Sequence, residues 1–580
     1  MRSRRKLALG RVTIVAGVML AAFVTASWAG ASAPDYPRAQ TLITSGTQWG
    51  DIAGTNHYFG NYAVGEVGLV YETLLRYDPI ADEYIPWLAK SASWTGPYTY
   101  TVTIRPGIKW ANGAAFTASD VAYNFKLGRF QNAFWNNMYQ RLYAGSGITV
   151  LGDTVTFRFN GTPNYAQWMN LIWNLPMIYP GQATDYNVTT EQSFMSFSPG
   201  NPIGTGPYQL DSAGYDPATR VVWVKKPVWW AAQQALAPSP APQYIIDLCN
   251  TSNTNALSGL LTGIEDLNNN YLPGIQSLVA SGRAQTYYPG PPYFLSVNTA
   301  WLTPNTTHKP LTDPAFRKAL ATSINVGQII NVGYGKLVLP ASPTGLLPTW
   351  KKWINSSLVS SKGFSYSTSK AISMLTAAGY QQVGGWFRNK DGSAINLKIA
   401  VPAGWSDWET ARGMIVSSAA AAHIKLTVDA GDFNHYQSQR NSGAFDLVID
   451  NTAQISDNPW TYFNFLFHLP IVSGGAGQTF ANFSRYNNPT AWNLTQKLDQ
   501  TPPTATATRQ SIMNQLETIV MDDLPAIPLW YNGAWSQTQS EYWTNWPSST
   551  SSRNYVPIMW RGYMQMTGID MIDHLVPAAP

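Results

Sequence analysis

A single cysteine, Cys249, in a chain of 580 residues excludes any internal disulfide, so whatever this sequence folds into is held by packing alone. A chain of that length must bury a large core, and its 45% apolar content allows one. Two or three domains are expected. The same cysteine count matters at the N-terminus, where Arg2, Arg4, Arg5 and Lys6 precede an apolar run over 12–26 and the small residues Ala29, Gly30, Ala31, Ser32 and Ala33. That order is the one a secretory signal peptide has. The run is shorter than the roughly 20 apolar residues of a spanning helix. We therefore expect export, with residues 1–31 removed by cleavage after Ala31, or alternatively after Ala29. Ser3-Arg4-Arg5 is similar to the start of a twin-arginine signal, and the ordinary secretory route is equally compatible. No cysteine stands near the cleavage site to carry a lipid.

Charged residues make up only 12% of the chain, and the net charge of +5 is spread along it, which argues against a nucleic-acid surface. The excess is aromatic, with 24 Trp and 31 Tyr. Most of these belong in the core. A minority on a cleft wall could stack against a ligand, since Tyr and Trp join an apolar face to a polar tip.

Alternation over 98–104 and 154–159 reads as strands, and Thr117-Ala118-Ser119-Asp120 as the N-cap of a helix over 121–126, together making a small α+β unit. Further on, helices over 314–330 and 369–378 alternate with strands over 396–401, 425–428 and 445–449, the pattern of α/β layers. No fixed-period repeat is present.

Motifs for chemistry are missing. The six histidines, at 57, 308, 423, 435, 468 and 574, form no metal-ligand spacing. Residues 331–336 lack the glycine spacing of a phosphate loop and read as a helix end with a turn. No nucleophile elbow occurs, and carboxylates are sparse. No enzymatic activity, metal or cofactor is expected.

Several motifs, in order, resemble the family 5 extracellular solute-binding proteins of bacterial ABC importers. They are Tyr71-Glu72-Thr73-Leu74-Leu75-Arg76-Tyr77-Asp78, residues 85–94, Arg105-Pro106-Gly107-Ile108-Lys109-Trp110-Ala111-Asn112-Gly113, residues 116–123, Gly204-Thr205-Gly206-Pro207-Tyr208, residues 260–266, residues 311–320 and residues 371–380. Gly204 to Tyr208 reads as a tight turn that needs glycine's permissive backbone, and Asp120 as a helix cap. The resemblance implies an α/β, two-lobed type II periplasmic-binding-protein fold (cluster C), with an extra α+β subdomain in the first lobe and two hinge strands. The expected divisions are 32–61 and 201–292 for the first lobe, 62–200 for its subdomain, 293–527 for the second lobe and 528–580 for the return to the first. Hinges are expected near 292–298 and 527–531. The implied role is that of an exported, monomeric receptor that closes on its ligand and delivers it to a membrane permease and ATPase.

Peptide-binding members of this family carry an aspartate, for the ligand's ammonium group, at a place that here holds Ile455, with Asp457 two residues on. Residues 529–535 and 542–547 resemble members that bind cellobiose and related oligosaccharides. A sugar site needs aromatic platforms with amide or carboxylate hydrogen-bonders. The resemblance points to Phe59, Asn61, Trp405, Trp408, Phe433, Arg440, Asn451, Gln454, Asn532 and Trp535. An oligopeptide ligand, with Asp457 as ammonium partner, is the alternative.

Overall fold

The computed structural model describes residues 36–47, 54–56, 63, 65–130, 138–451, 455–471, 481–552, 555, 558–559 and 566–579. Two sheets organise them. The first has seven strands in the order Gln285–Thr286, Gln537–Thr538, Leu267–Asn268, Thr41–Thr47, Tyr244–Cys249, Arg220–Lys225 and Tyr208–Leu210. Thr41–Thr47 runs parallel to both of its neighbours, and the remaining pairs are antiparallel. The second has six strands in the order Leu339–Pro340, Ile527–Gly533, Ser296–Pro304, Leu447–Asp450, Leu397–Pro402 and Leu426–Gly431. In it Leu397–Pro402 is parallel to both neighbours, while Ser296–Pro304 is antiparallel to both of its own. Every residue of Ser296–Pro304 and of Ile527–Gly533 is buried, as expected of central strands covered on both faces. This is the mixed α/β architecture that the alternation of elements implied.

The chain passes between the sheets twice, over 287–295 and over 534–536. The strands leading into and out of these crossings pair with each other, Ser296 opposite Gly533 and Asn298 opposite Asn532.

The small α+β unit is a four-stranded antiparallel sheet, Ala89–Gly96, Thr99–Ile104, Thr154–Arg158 and Ile148–Leu151. Along Thr99–Ile104 the buried residues Tyr100, Val102 and Ile104 alternate with half-buried threonines, the period of two that puts one face on the core. Phe125, Phe157 and Trp168 fill that core, with ring centroids 4.7–5.4 Å apart. The helix Ala118–Lys126 begins three residues earlier than its apolar pattern indicated. Thr117 is the N-cap, and Asp120, expected as the cap, lies at the third helical position, where its carboxylate accepts the Thr117 N–H at 2.8 Å.

Other motifs also prove structural. The buried Glu72 carboxylate accepts the indole N–H groups of Trp87 (2.9 Å), Trp229 (3.3 Å) and Trp230 (2.7 Å), and burial holds its pKa above the ordinary range. Arg317, also buried, donates to the carbonyls of Leu311 (2.6 Å), Asp523 (2.7 Å) and Leu524 (3.1 Å). It thereby fixes the end of the long helix Thr506–Asp523. Gly204 and Gly206 are not at positive φ. Their constraint is close approach, because a Cβ on either would run into the carbonyl oxygens of Val70 and Leu69. The helix expected over 314–330 ends at Ser323; Asn325 then restarts the chain by accepting the Gln328 N–H, and a turn of π-helix comes next, over Ile329–Gly333.

Candidate ligand-binding site

In open sheets with parallel strands, ligands lie outside the carboxyl ends of those strands. In the seven-stranded sheet, Thr41–Thr47, Tyr244–Cys249 and Leu267–Asn268 all end at the same side. The residues directly after these ends are polar and uncharged: Asn250, Thr251 and Ser252 after one strand, Asn269 and Asn270 after another. Asn250 Nδ2 donates to Glu265 Oε1 at 2.9 Å, Asn268 donates to the other oxygen, and Asn270 Nδ2 donates to Ser45 Oγ at 3.1 Å. Burial raises the Glu265 carboxyl to about 8. Asn269 Nδ2 donates to the Trp535 carbonyl at 2.8 Å, which ties the strand ends to the second crossing.

In the six-stranded sheet, Leu397–Pro402, Leu426–Gly431 and Leu447–Asp450 are mutually parallel and also end together. They deliver Trp405, Phe433 and Asn451 to one side. Trp405 caps the helix Ser406–Ala421 and is half-buried. Its ring meets Trp408 edge-on at 4.7 Å and lies nearly parallel to that of Phe433, 5.9 Å away and inclined by 19°. Arg440, one face of whose guanidinium covers Phe483 at 4.1 Å, sits 3.4 Å from the buried Asp450 carboxylate.

The two sets of strand ends meet at Asn253, the first residue of the helix Asn253–Leu261. Its side-chain amide donates to Ser406 Oγ at 3.1 Å and to Asp407 Oδ1 at 3.2 Å, and its backbone N–H to the Gly404 carbonyl at 3.4 Å. The Tyr334 hydroxyl donates to the other Asp407 oxygen at 3.1 Å. Burial raises the Asp407 carboxyl to about 6.

Of the residues expected to bind ligand, Trp405 and Phe433 stack beyond the strand ends of the six-stranded sheet, Asn451 follows the strand Leu447–Asp450, and Arg440 reaches the last residue of that strand. Trp408 lies beneath Trp405, only 2% exposed. Trp535 is buried in the second crossing, against Tyr271 at 5.3 Å and Phe294 at 4.9 Å, and stacks on Tyr334 at 6.5 Å. Asn532 is buried in its strand and accepts the Trp530 indole N–H at 3.3 Å. Phe59, Asn61 and Gln454 lie outside the described residues. Asp457 accepts the Tyr84 hydroxyl at 2.6 Å and the Ser456 hydroxyl at 3.2 Å, and burial raises its pKa; Ile455 is buried, its N–H on the Val297 carbonyl at 2.6 Å. Sequence reasoning missed Asn253, Asp407, Tyr334 and the run Asn268-Asn269-Asn270. The helix start after Ser252 and the acid between two tryptophans were the signals available. Among the described residues no group of three or more His, Cys, Asp or Glu side chains is placed to hold a metal ion.

Comparison with known proteins places this arrangement. The model of the bacterial extracellular solute-binding proteins, family 5, matches residues 83–473. The peptide transport periplasmic protein SapA of Salmonella typhimurium is 23% identical over 559 residues, covering 90% of this chain and 92% of that protein. A Thermotoga maritima structure, described as an oligopeptide ABC transporter periplasmic oligopeptide-binding protein with mannohexaose bound, superposes with a TM-score of 0.85 at 31% identity, covering 93% and 99% of the two chains. The oligopeptide-binding protein AppA of Bacillus subtilis, in complex with a nonapeptide, shares the fold at a TM-score of 0.72 and 16% identity, covering 93% of this chain and 99% of its own. With motifs, sheet order and family model in agreement along most of its length, the chain belongs to family 5 of the bacterial extracellular solute-binding proteins.

Proposed function

We propose that this substrate-binding protein of an ABC importer captures a neutral oligosaccharide, held between the carboxyl ends of its two sheets. The observation that carries the reading is the pair Trp405 and Phe433, two half-buried and nearly parallel rings at the crevice. Sugar rings present C–H faces to such platforms and hydroxyl rims to amides such as that of the half-buried Asn451. The acids nearby are already engaged: Glu265 is held by Asn250 and Asn268, Asp407 by Asn253 and Tyr334, and Asp450 faces Arg440. The relative with bound mannohexaose supports the same class of ligand.

A second reading, an oligopeptide receptor, draws on the relatives named for peptides and on Asp457. Against it, Asp457 is occupied by the hydroxyl of Tyr84, and an ammonium buried beside Ile455 would have no partner, at a cost of several kcal/mol.

Ligand capture proceeds by closure of the two layers about the crossings at 287–295 and 534–536, the second of which begins just past the strand end expected to serve as hinge. Contacts available only when shut drive that shift in population. No chemistry is done on the ligand, and release is to the permease and ATPase in the membrane.

Calorimetric titration of the mature protein with mannohexaose, cello-oligosaccharides and short peptides tests the reading. Sugar binding that Trp405→Ala weakens is the expected result. Binding to peptides alone, abolished by Asp457→Asn, overturns the sugar assignment and leaves the receptor role intact.

A further inference from the structure

We propose that Asn253 is a positioning residue for the crevice: its side-chain amide ties the loop bearing Trp405 to the seven-stranded layer, and so sets how long the crevice stays shut. It acts through Trp405, not by touching ligand.

The joint is built from both sides. Ser252 caps the helix Asn253–Leu261 by accepting the Asn255 N–H at 3.2 Å, which fixes the orientation in which Asn253 leaves the helix start. Opposite, Gly404 has a φ of +86°, a conformation open to glycine, and a Cβ there would stand 3.3 Å from the Thr251 carbonyl. The loop can therefore press its backbone onto residues 251–253. Three hydrogen bonds from one residue then span the layers, to Gly404, Ser406 and Asp407.

Asp407 makes the contact more than a local clasp. Its second oxygen holds the Tyr334 hydroxyl, and the Tyr334 ring lies parallel to Trp535, inclined by 6°, in the second crossing. One carboxylate thus links an amide of the first layer, the aromatic loop of the second and the segment about which the layers move. The apolar contacts around Tyr271 also bridge the layers, but they are non-directional and survive a small rotation. A hydrogen bond weakens steeply once its angle or length is lost. The directional contact is the one that senses opening.

The contact between layers does not depend on the ligand; its effect on residence time rests on the receptor reading. Four variants test it: Asn253→Ala, Asn253→Asp, Asp407→Asn, and Asn253→Asp combined with Asp407→Asn, which exchanges donor and acceptor. Each is first checked for a cooperative melt, and Asn253→Ser replaces Asn253→Ala should the latter not fold. Hydrogen exchange of segment 402–409 is read in ligand-free protein, and mannohexaose dissociation by stopped flow. Loss of a hydrogen bond to a carboxylate is on the order of tenfold in an equilibrium constant. Asn253→Ala should speed exchange of 402–409 about tenfold, Asn253→Asp should do so more strongly through like-charge repulsion, and the combined exchange should return it to within a few fold of wild type. A purely structural helix-start role gives no such rescue. Unchanged exchange in every variant, or a double variant no better than Asn253→Asp, overturns the proposal. Exchange that behaves as expected in a protein that ignores mannohexaose leaves the joint standing and removes only the sugar assignment.

Discussion

Trp405 and Trp408 are three residues apart and in contact, yet they do different work. Trp405 is half-buried beyond the strand ends of the six-stranded sheet, whereas Trp408 is 2% exposed in the core of that layer. Trp405→Ala should weaken mannohexaose binding by about 1–3 kcal/mol, taking base-on-aromatic stacking as the analogue, with little change in Tm. Trp408→Ala and Trp535→Ala should instead lose about 3–5 kcal/mol of stability through the cavities they leave. Calorimetry and thermal melts on the same preparations separate the two effects; equal loss of stability in all three would remove the distinction. Gly204 offers a second test of residue-level constraint. Since a Cβ there meets the Val70 carbonyl, Gly204→Ala should destabilise by about 1–3 kcal/mol even though φ is not the obstacle. A melt unchanged from wild type would show that the two backbones can part without cost.

The helix Ala118–Lys126 shows what an element owes to its first turn. Thr117 and Asp120 satisfy orphan N–H groups reciprocally, so Thr117→Ala should cost about 1 kcal/mol, measured by urea unfolding. Elements of this kind were legible in the sequence: the alternation in Thr99–Ile104, a helix start within Thr117 to Asp120, though with the wrong cap, and the strands Leu397–Pro402 and Leu447–Asp450 all arise from local pattern. What was not legible depends on which elements become neighbours. Nothing local to Trp535 says that it packs beneath Tyr271 and Phe294, and nothing local to Asn253 says that it meets a loop more than 150 residues away. The helix expected to run to Ile330 failed for a local reason: Asn325 competes for the backbone and restarts the turn. Glycines in the 204–208 motif were read as turn formers because sequence carries no record of the carbonyls they face.

For the whole molecule, buried acids set the response to pH; besides Glu72 and Asp457, five more are raised. Burial is the leading cause in each, holding Glu265 at about 8, Glu517 at about 7, and Asp266, Asp407 and Asp499 at about 6. The folded state therefore binds more protons than the unfolded chain between the ordinary carboxylate range and these values. Their penalty is absent below about pH 4 and fully present above about pH 8, so stability falls as pH rises through that window. His468, whose pKa burial lowers, opposes this on the acid side, and Lys226, pulled down to about 8, acts only above it. Scanning calorimetry should find a Tm a few degrees higher at pH 5.5 than at pH 8; a Tm that climbs with pH over this range would contradict the assignment. Motion is the second property at this scale. Small-angle scattering should show a smaller radius of gyration with saturating mannohexaose, and an identical radius would count against closure about the two crossings.

The lone thiol has a practical corollary. Cys249 is half-buried at the last position of the strand Tyr244–Cys249, four residues before Asn253. A maleimide fluorophore has one place to attach, with no competing sulfhydryl and no engineered substitution. The receptor carries its own labelling point at the carboxyl end of a strand of the seven-stranded sheet, where emission can be followed as ligand is added.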